Sequence, residues 1–184
     1  MKRDEVIQYL VSERLRDGTE VTIRAIRPED KGMLREAFKD LDESTIYTRF
    51  FAPKKEISDQ ELKWATEVDM FRNVALVACI RDGGGEKIIG IGRYVSAEKP
   101  DPPSSAEIAF VVEEDYHGLG LASILLRHLS FIGREQGVSR FEAEVLPSNK
   151  AMLKVFSRSG LSMTEVSSGD SVHVTLSLNK GGTE

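Results

Sequence analysis

The sequence is poor in cysteine and in long hydrophobic runs. Cys79 is the single cysteine among 184 residues, and it lies in an apolar stretch where a buried thiol acts as a small hydrophobic side chain. No segment approaches the length that spans a membrane. The residues from Met1 to Arg16 mix charged with apolar side chains, unlike a secretory signal. We therefore expect a cytoplasmic protein without membrane contact.

An excess of positive charge is also lacking, because 25 lysines and arginines stand against 30 aspartates and glutamates. The formal net charge is -5 and the sequence pI is about 5.4. Neutralising nucleic-acid phosphates requires a clustered excess of lysine and arginine. The composition therefore argues against a nucleic-acid partner and suits a cationic one better.

The remaining composition is that of a folded domain, with 40% hydrophobic and 30% charged residues. At this length we expect one domain that buries its core without disulfides or a structural metal. The apolar spacing of Val6, Ile7, Leu10 and Val11 predicts an N-terminal helical extension over residues 1–14. The domain itself would cover residues 15–180, followed by a tail over 181–184.

Periodicity predicts an alternation of strands and helices along this domain. Seven strands are expected, near residues 21–25, 73–80, 87–95, 105–112, 141–145, 161–166 and 171–178. Helices are expected near 28–41, 43–51, 58–67, 118–136 and 149–159. Neither an internal repeat nor an interdomain linker is visible.

The most informative stretch joins a predicted strand, Ser105 to Val112, to a predicted helix that starts at Gly118. A glycine-bearing turn before a helix presents backbone N–H groups without intrahelical partners, at the positive end of the helix dipole. Such a turn binds anions, and a diphosphate fits it. The glycines do not match a dinucleotide fingerprint, and a Walker-type lysine is absent. A glycine-tolerant helix start that binds nothing is the alternative.

Residues 106–122, AEIAFVVEEDYHGLGLA, resemble the acetyl-CoA signature of the GNAT N-acetyltransferase superfamily. The usual form of that signature, Q/R-x-x-G-x-G/A, is matched at both small positions by Gly120 and Ala122. A second segment, NKAMLKVFSRSGL over residues 149–161, is similar to the asparagine helix of the same superfamily. Two separated motifs in the right order are more specific than one.

Within the superfamily, the likeness is closest to the catalytic domains of bacterial protein-lysine acetyltransferases. It is carried by residues 15–30, 47–51 and 146–153. The resemblance implies an α+β fold of α/β/α layers: a mixed, mostly antiparallel sheet of about seven strands flanked by helices and splayed at the acetyl-CoA strand. It covers nearly the whole chain, so residues 15–180 would be the acetyltransferase domain.

The resemblance also implies the roles of particular residues. Glu107 matches the glutamate on the central strand that takes a proton from the attacking amine. Glu142 and Glu144, on the next strand, are alternatives for this base. No metal site is expected, because the histidines do not have metal-ligand spacing. The positions implied to bind acetyl-CoA are Val111, Val112, His117, Gly118, Leu119, Gly120, Leu121, Ala122 and Asn149; Asn149 would also cap its helix.

Three departures from the superfamily pattern bear on the chemistry. Phe156 occupies the place of a tyrosine that often protonates the departing thiolate, although a thiolate can leave without a dedicated acid. His117 and Leu119 replace residues that are commonly basic or polar. We therefore predict that coenzyme binds somewhat weakly and with little salt dependence; a submicromolar dissociation constant that rises steeply with salt would contradict this.

The expected function is transfer of acetyl from acetyl-CoA to a primary amine, by direct attack in a ternary complex. The acceptor would be a protein lysine or a small molecule. A non-catalytic acetyl-CoA sensor is a further alternative, although the presence of Glu107 favours catalysis. The edge of the C-terminal hairpin offers a possible homodimer surface.

Overall fold

The computed structural model describes residues 1–50, 55–96 and 104–179, without the side chains of residues 47–50. The expected tail over 181–184 therefore lies outside the described residues. A single mixed sheet forms the centre of the protein, with the strand order β1-β2-β3-β4-β5-β6-β8-β7. The strands are β1 (Leu10–Arg14), β2 (Glu20–Ala25), β3 (Asn73–Asp82), β4 (Gly85–Ser96), β5 (Ser105–Val112), β6 (Arg140–Val145), β7 (Ser162–Ser168) and β8 (Ser171–Ser177).

Helices cover both faces of the sheet. They are α1 (Arg3–Ile7), α2 (Lys31–Lys39), α3 (Glu43–Phe50), α4 (Asp59–Thr66), α5 (Leu121–Glu135) and α6 (Lys150–Ser157). α2 and α3 contact β4 and β5, and α4 packs on α2. α5 packs on β3, β4 and β5, and α6 contacts α5. Among the described helices, none is both long and apolar enough to cross a membrane.

The expected α+β fold with α/β/α layers is confirmed, with eight strands in place of about seven. The additional strand is β1, and the prediction of a helix through residue 14 was wrong beyond Ile7. Leu10–Arg14 instead pairs antiparallel with β2. The apolar spacing near the N-terminus fits one helical turn, but β2 offers a free edge whose backbone groups need partners. The extension is thus part of the sheet.

The core lies around β3, whose residues from Val74 to Cys79 are all buried. A strand covered on both faces needs a continuous apolar run, which is what this sequence provides. Cys79 is buried there as a small hydrophobic side chain, as expected.

The sheet is split between β5 and β6. These strands are parallel and pair at three positions alone, from Ser105 with Arg140 to Glu107 with Glu142. Beyond Glu107, β5 continues along β4 as far as Val112, whereas β6 continues along β8 as far as Val145. The expected splay is therefore present, and it opens a cleft between two strands that do not pair with each other beyond Glu107 and Glu142.

α5 lies unusually close to the sheet, because two glycines face it. A Cβ on Gly90 would lie 3.0 Å from Leu121 Cδ2 and 3.3 Å from the carbonyl oxygen of Val111. A Cβ on Gly92 would lie 3.0 Å from Leu129 Cδ1 and from Phe110 Cδ1. Gly90 in particular sets how near the first turn of α5 comes to β4.

The far side of α5 is tied to the N-terminal segment by His128. The Tyr9 hydroxyl lies 2.5 Å from His128 Nδ1, and His128 Nε2 lies 2.9 Å from Glu13 Oε1. Glu13 also accepts a hydrogen bond from Arg127. Because a carboxylate can only accept, Nε2 carries the proton and Nδ1 accepts from Tyr9. Burial lowers the pKa of His128 below 6.5, although the Glu13 carboxylate acts in the opposite direction.

Substitution of Gly90 by alanine should destabilise the protein by about 1–3 kcal/mol, because the methyl group forces Leu121 away from β4. Gly32→Ala is the matched control: its Cβ would meet nothing within 4 Å in α2. This control should stabilise by up to about 1 kcal/mol, the gain in helix propensity. Urea denaturation measures the stability of both variants. Equal midpoints for Gly90→Ala and the wild type would show that the space between β4 and α5 accommodates a methyl group without cost.

Stability should fall as the solution is acidified below pH 6.5. The pKa of His128 is lower in the folded protein, so the unfolded chain binds more protons between that pKa and 6.5. A single proton gives a slope of at most about 1.4 kcal/mol per pH unit. The pKa of Glu13 is lowered as well, despite its partial desolvation, by hydrogen bonds from Arg127 and His128, which extends the loss to lower pH.

Chemical denaturation at a series of pH values measures this dependence. His128→Gln should flatten the curve between pH 7 and pH 5.5. An unchanged slope in this variant would place the titrating group elsewhere.

Candidate active site

The turn before α5 has the backbone geometry of an anion-binding loop. Gly118 has φ 75° and Gly120 has φ 92°, both in the left-handed region that favours glycine. Gly120 is the N-cap of α5. A Cβ on Gly118 would meet nothing within 4 Å, so the loop surface there is open.

The backbone N–H groups from Gly118 to Ser123 are unpartnered within the described part of the chain. The first amide of this region that donates is Ile124, to the carbonyl of Gly120. Consecutive free amides at the start of a 15-residue helix add to the positive end of its dipole. The loop is therefore suited to a multiply charged anion such as a diphosphate.

His117 ties this loop to the end of β5. Its Nε2 lies 2.7 Å from the carbonyl oxygen of Val112. Because a carbonyl can only accept, this nitrogen carries a proton. The ring is therefore engaged in holding the loop against the strand, a role that the sequence did not predict.

Arg16, in the turn between β1 and β2, lies against the same loop. Its Nη1 donates to the carbonyl of Gly118 at 3.1 Å, and its backbone N–H donates to the carbonyl of Leu119 at 3.1 Å. The prediction that coenzyme binding depends little on salt was based only on residues of the loop itself, His117 and Leu119. Arg16 adds a cation from more than a hundred positions away in sequence, which local motif reading does not detect.

A cleft lies between β5, whose end His117 ties to this loop, and β6. It is lined by Glu107, Ile108, Ala109, Phe110, Ala143, Glu144, Val145, Asn149, Met152 and Phe156. The structure thus brings Glu107, Glu144 and Asn149 together in one cleft, from three separate elements. Glu142 pairs with Glu107 in the three-residue ladder at the closed end of that cleft.

Hydrogen-bond alternation decides which β5 backbone groups face the cleft. Glu113 N–H donates to the carbonyl of Ile89, which makes these two residues a bonded pair. In an antiparallel ladder, alternate residues point to the same neighbour, so Val111 bonds β4 while Phe110 and Val112 point away from it. In this register Val111 is directed to β4, whereas Phe110 and Val112 face the cleft, where the Val112 carbonyl is already engaged by His117.

The three candidate carboxylates have different surroundings. Glu144 accepts from Ser171 Oγ at 2.8 Å and from His173 Nδ1 at 2.5 Å, and these bonds, that of His173 first, lower its pKa. Glu142 accepts from Arg140 Nε at 2.8 Å. Glu107 makes no hydrogen bond or ion pair within the described residues, and it is exposed. Among the three, the carboxylate of Glu107 is the one that no described neighbour engages, so it is open to an incoming donor.

Asn149 and Phe156 lie on the β6 side of the cleft. Asn149 Oδ1 accepts from the backbone N–H of Met152 at 3.1 Å, which caps α6. Its amide nitrogen has no partner in the described part of the protein, so capping leaves it available to a ligand. Phe156 is buried and its ring centroid lies 6.2 Å from that of Phe110. The cleft therefore has an apolar wall where a tyrosine hydroxyl would otherwise stand.

A second cavity of about 200 Å³ lies on the opposite face of β5, under α2 and α4. Its lining is mostly apolar and includes Leu34, Phe38, Trp64, Ile89, Ile91 and Val111. Ala109 and Phe110 line both this cavity and the cleft. The two spaces therefore meet at β5, two to three positions from Glu107. This cavity was not predicted from the sequence, because it depends on how α2 and α4 pack over β4 and β5.

Two other types of chemistry find little support in the described residues. No group of three or more His, Cys, Asp or Glu side chains there is arranged to hold a metal ion. Burial raises the pKa of Cys79 to about 11, so its thiol is protonated at neutral pH and unsuited to carry an acyl group.

Comparison with known proteins decides the family. Residues 36–161 match the Acetyltransferase (GNAT) family. The chain belongs to this family. The match spans the loop, both strands of the cleft and the asparagine helix, so the recognition of an acetyltransferase from its two motifs is confirmed.

Relatives of this GNAT domain include proteins named as acetyltransferases. The chain is 32% identical to Acetyltransferase PA5475 of Pseudomonas aeruginosa over 140 residues, 76% of this chain and 74% of that protein. It is 30% identical to Acetyltransferase Pat of Mycolicibacterium smegmatis over 80% of this chain, but that match spans 43% of the relative. The crystal structure of the GNAT domain of S. lividans PAT has a TM-score of 0.83 at 32% identity, covering 91% of this chain and 96% of that one. The expected likeness to such domains is thereby confirmed.

Proposed function

We propose that this GNAT domain is an acetyl-CoA-dependent N-acetyltransferase that acts on a primary amine, with Glu107 as general base. One observation carries the proposal. Within the described residues, a loop of unpartnered amides at the start of α5 is joined through His117 to the end of β5, and β5 lines a cleft that contains the unpartnered carboxylate of Glu107. The first feature suits the diphosphate of coenzyme A, and the second suits removal of a proton from an amine.

Binding would use backbone groups more than side chains. The amides from Gly118 to Ala122 would hold the diphosphate, and the open space at Gly118 allows it to approach the main chain. Phe110 would offer its cleft-facing backbone groups, and Val112 its N–H, to the pantetheine arm, because the Val112 carbonyl is engaged by His117. The free amide nitrogen of Asn149 would join them. Acetyl-CoA would supply the activated acyl group as a thioester.

Glu107 would act on the acceptor. A free alkylamine such as lysine has a pKa of about 10.4, so about one in a thousand or fewer is neutral at pH 7. A carboxylate that accepts the ammonium proton, directly or through water, raises the supply of the attacking form at the site. Glu107 shares a strand face with Ala109 and Val111, which line the apolar cavity. The acceptor would therefore reach Glu107 from the α2–α4 face.

The leaving thiolate would depart without an acid from α6, because Phe156 has no hydroxyl group. A thiol with a pKa near 8.5 is a sufficiently good leaving group at neutral pH. Transfer would be direct, since Cys79 is buried in β3 and protonated.

The cavity is consistent with two acceptor classes. An apolar chamber beside the reacting nitrogen fits the methylene chain of a protein lysine and equally a small aliphatic amine. The sequence resemblance to the catalytic domains of bacterial protein-lysine acetyltransferases makes a protein lysine the first acceptor to test. Cytoplasmic location and homodimer formation stay predictions.

Glu107→Gln should reduce turnover by about 100-fold or more, because the amide cannot accept a proton. Residual activity of the variant should rise steeply with pH as free amine accumulates toward its pKa. The measurement is release of free thiol from acetyl-CoA, with a lysine peptide and a panel of small amines, from pH 7 to pH 9. Coenzyme binding, measured by calorimetry, should not change.

Glu144→Gln is the control, since Glu144 lies in the same cleft but is held by Ser171 and His173. Its turnover should stay within a few-fold of the wild type. Full activity of Glu107→Gln across this pH range would remove Glu107 from the mechanism. Coenzyme binding without turnover of any amine would favour the sensor.

A further inference from the structure

Arg16 is held in place before any ligand binds. The β1–β2 turn that carries it is closed by a hydrogen bond from Leu15 N–H to the Thr19 carbonyl. Asp17 Oδ1 accepts from Thr19 N–H and Asp17 Oδ2 from the Thr19 hydroxyl, each at 3.0 Å. Asp17 is thus committed to its own turn, and Arg16 is directed to the loop before α5.

The guanidinium group lies on the loop at close range. Besides the bond from Nη1 to Gly118, its Nε would lie 3.4 Å from a Cβ placed on Gly120. Gly120 has no side chain, so the guanidinium can lie directly against the backbone of the N-cap. The guanidinium of Arg16 therefore lies beside the backbone amides that are proposed to bind the diphosphate.

The charge of Arg16 is not neutralised within the described part of the chain. Arg14, two positions earlier, forms an ion pair with Glu20 at 2.7 Å, and Arg127 pairs with Glu13. Arg16 makes no ion pair there, although it belongs to a chain with an excess of five negative charges. A guanidinium has five N–H donors, and the one contact described uses a single nitrogen.

We propose that Arg16 is a phosphate-binding residue of the coenzyme site. It would supply to the loop, from the β1–β2 turn, the positive charge that His117 and Leu119 do not provide. The inference rests on the proposed function, since it assumes that the loop binds coenzyme A. Coenzyme A carries a diphosphate and a 3′-phosphate, and the unused guanidinium donors suit either group.

Calorimetric titration with coenzyme A tests the assignment. Arg16→Gln should raise the dissociation constant about 10- to 100-fold, the loss expected for a charge-assisted bond. The salt dependence of binding should become shallower, because one cation fewer takes part. Arg16→Lys keeps the charge but loses the planar donor array, so its dissociation constant should lie between those of the wild type and Arg16→Gln.

Arg14→Gln is the matched control, because Arg14 is an exposed arginine near the same turn whose charge is paired with Glu20. Its coenzyme affinity and salt dependence should equal those of the wild type. Thermal melts of all variants show whether a loss of affinity has a structural origin: a purely structural role would lower the melting temperature of Arg16→Gln without changing the salt dependence of binding.

Titration with 3′-dephospho-coenzyme A identifies the phosphate. An equal loss of affinity for both ligands in Arg16→Gln assigns Arg16 to the diphosphate. A loss confined to coenzyme A assigns it to the 3′-phosphate, and either result supports the inference. Wild-type affinity and salt dependence in Arg16→Gln would overturn it while leaving the proposed function intact. A wild-type protein that binds neither ligand would overturn both.

Discussion

The short pairing of β5 with β6 is the constraint on which the site depends. Parallel strands normally share a ladder along their length, yet these two part after Glu107 and Glu142. Each then follows its other neighbour, β5 along β4 and β6 along β8. Unpaired backbone edges are costly unless water or a ligand satisfies them. A cleft made of such edges is therefore polar on its strand sides and suited to an extended amide-bearing ligand such as the pantetheine arm.

A ligand that spans the cleft and the loop requires α5 to be held in a fixed position relative to β5. This helix carries the anion-binding amides, and it is located from two directions. Gly90 lets Leu121 lie directly on β4, while His128 and Arg127 connect its outer side to Glu13 in β1. His117 then joins the loop to Val112. Loop, helix and strand thus form one rigid frame, which reduces the ordering cost that a ligand has to meet.

The parts of this arrangement that could be predicted are those written in contiguous sequence. The alternation in residues 105–112, the glycines of the turn and the apolar spacing of α5 lie within about thirty positions of one another, and they identified the loop and the strand that carries Glu107. The capping role of Asn149 was equally local. Strand number was underestimated because Leu10–Arg14 owes its conformation to the edge of β2 and not to its own pattern.

Features made by distant segments could not be predicted. The apolar cavity requires α2 and α4 to lie over β4 and β5. The choice between Val111 and Phe110 depends on the register with β4, which no periodicity reveals. The surroundings of Glu107, Glu142 and Glu144 are alike in sequence, where all three alternate with apolar residues; they differ because β8 brings His173 and Ser171 to one of them.

The local charge at the loop differs from the net charge of the chain, because the fold decides which charged groups lie near the loop. An acidic chain should repel a polyanion such as coenzyme A, and long-range potential does act on the rate of encounter. At the loop itself, however, the nearest charges decide, because screening at physiological salt limits exposed charges to about 8 Å. There the structure has free amides, a helix dipole and the guanidinium of Arg16, with Asp17 turned to Thr19. A negative net charge is therefore compatible with the proposed binding of phosphate at the loop and with the proposed amine acceptor.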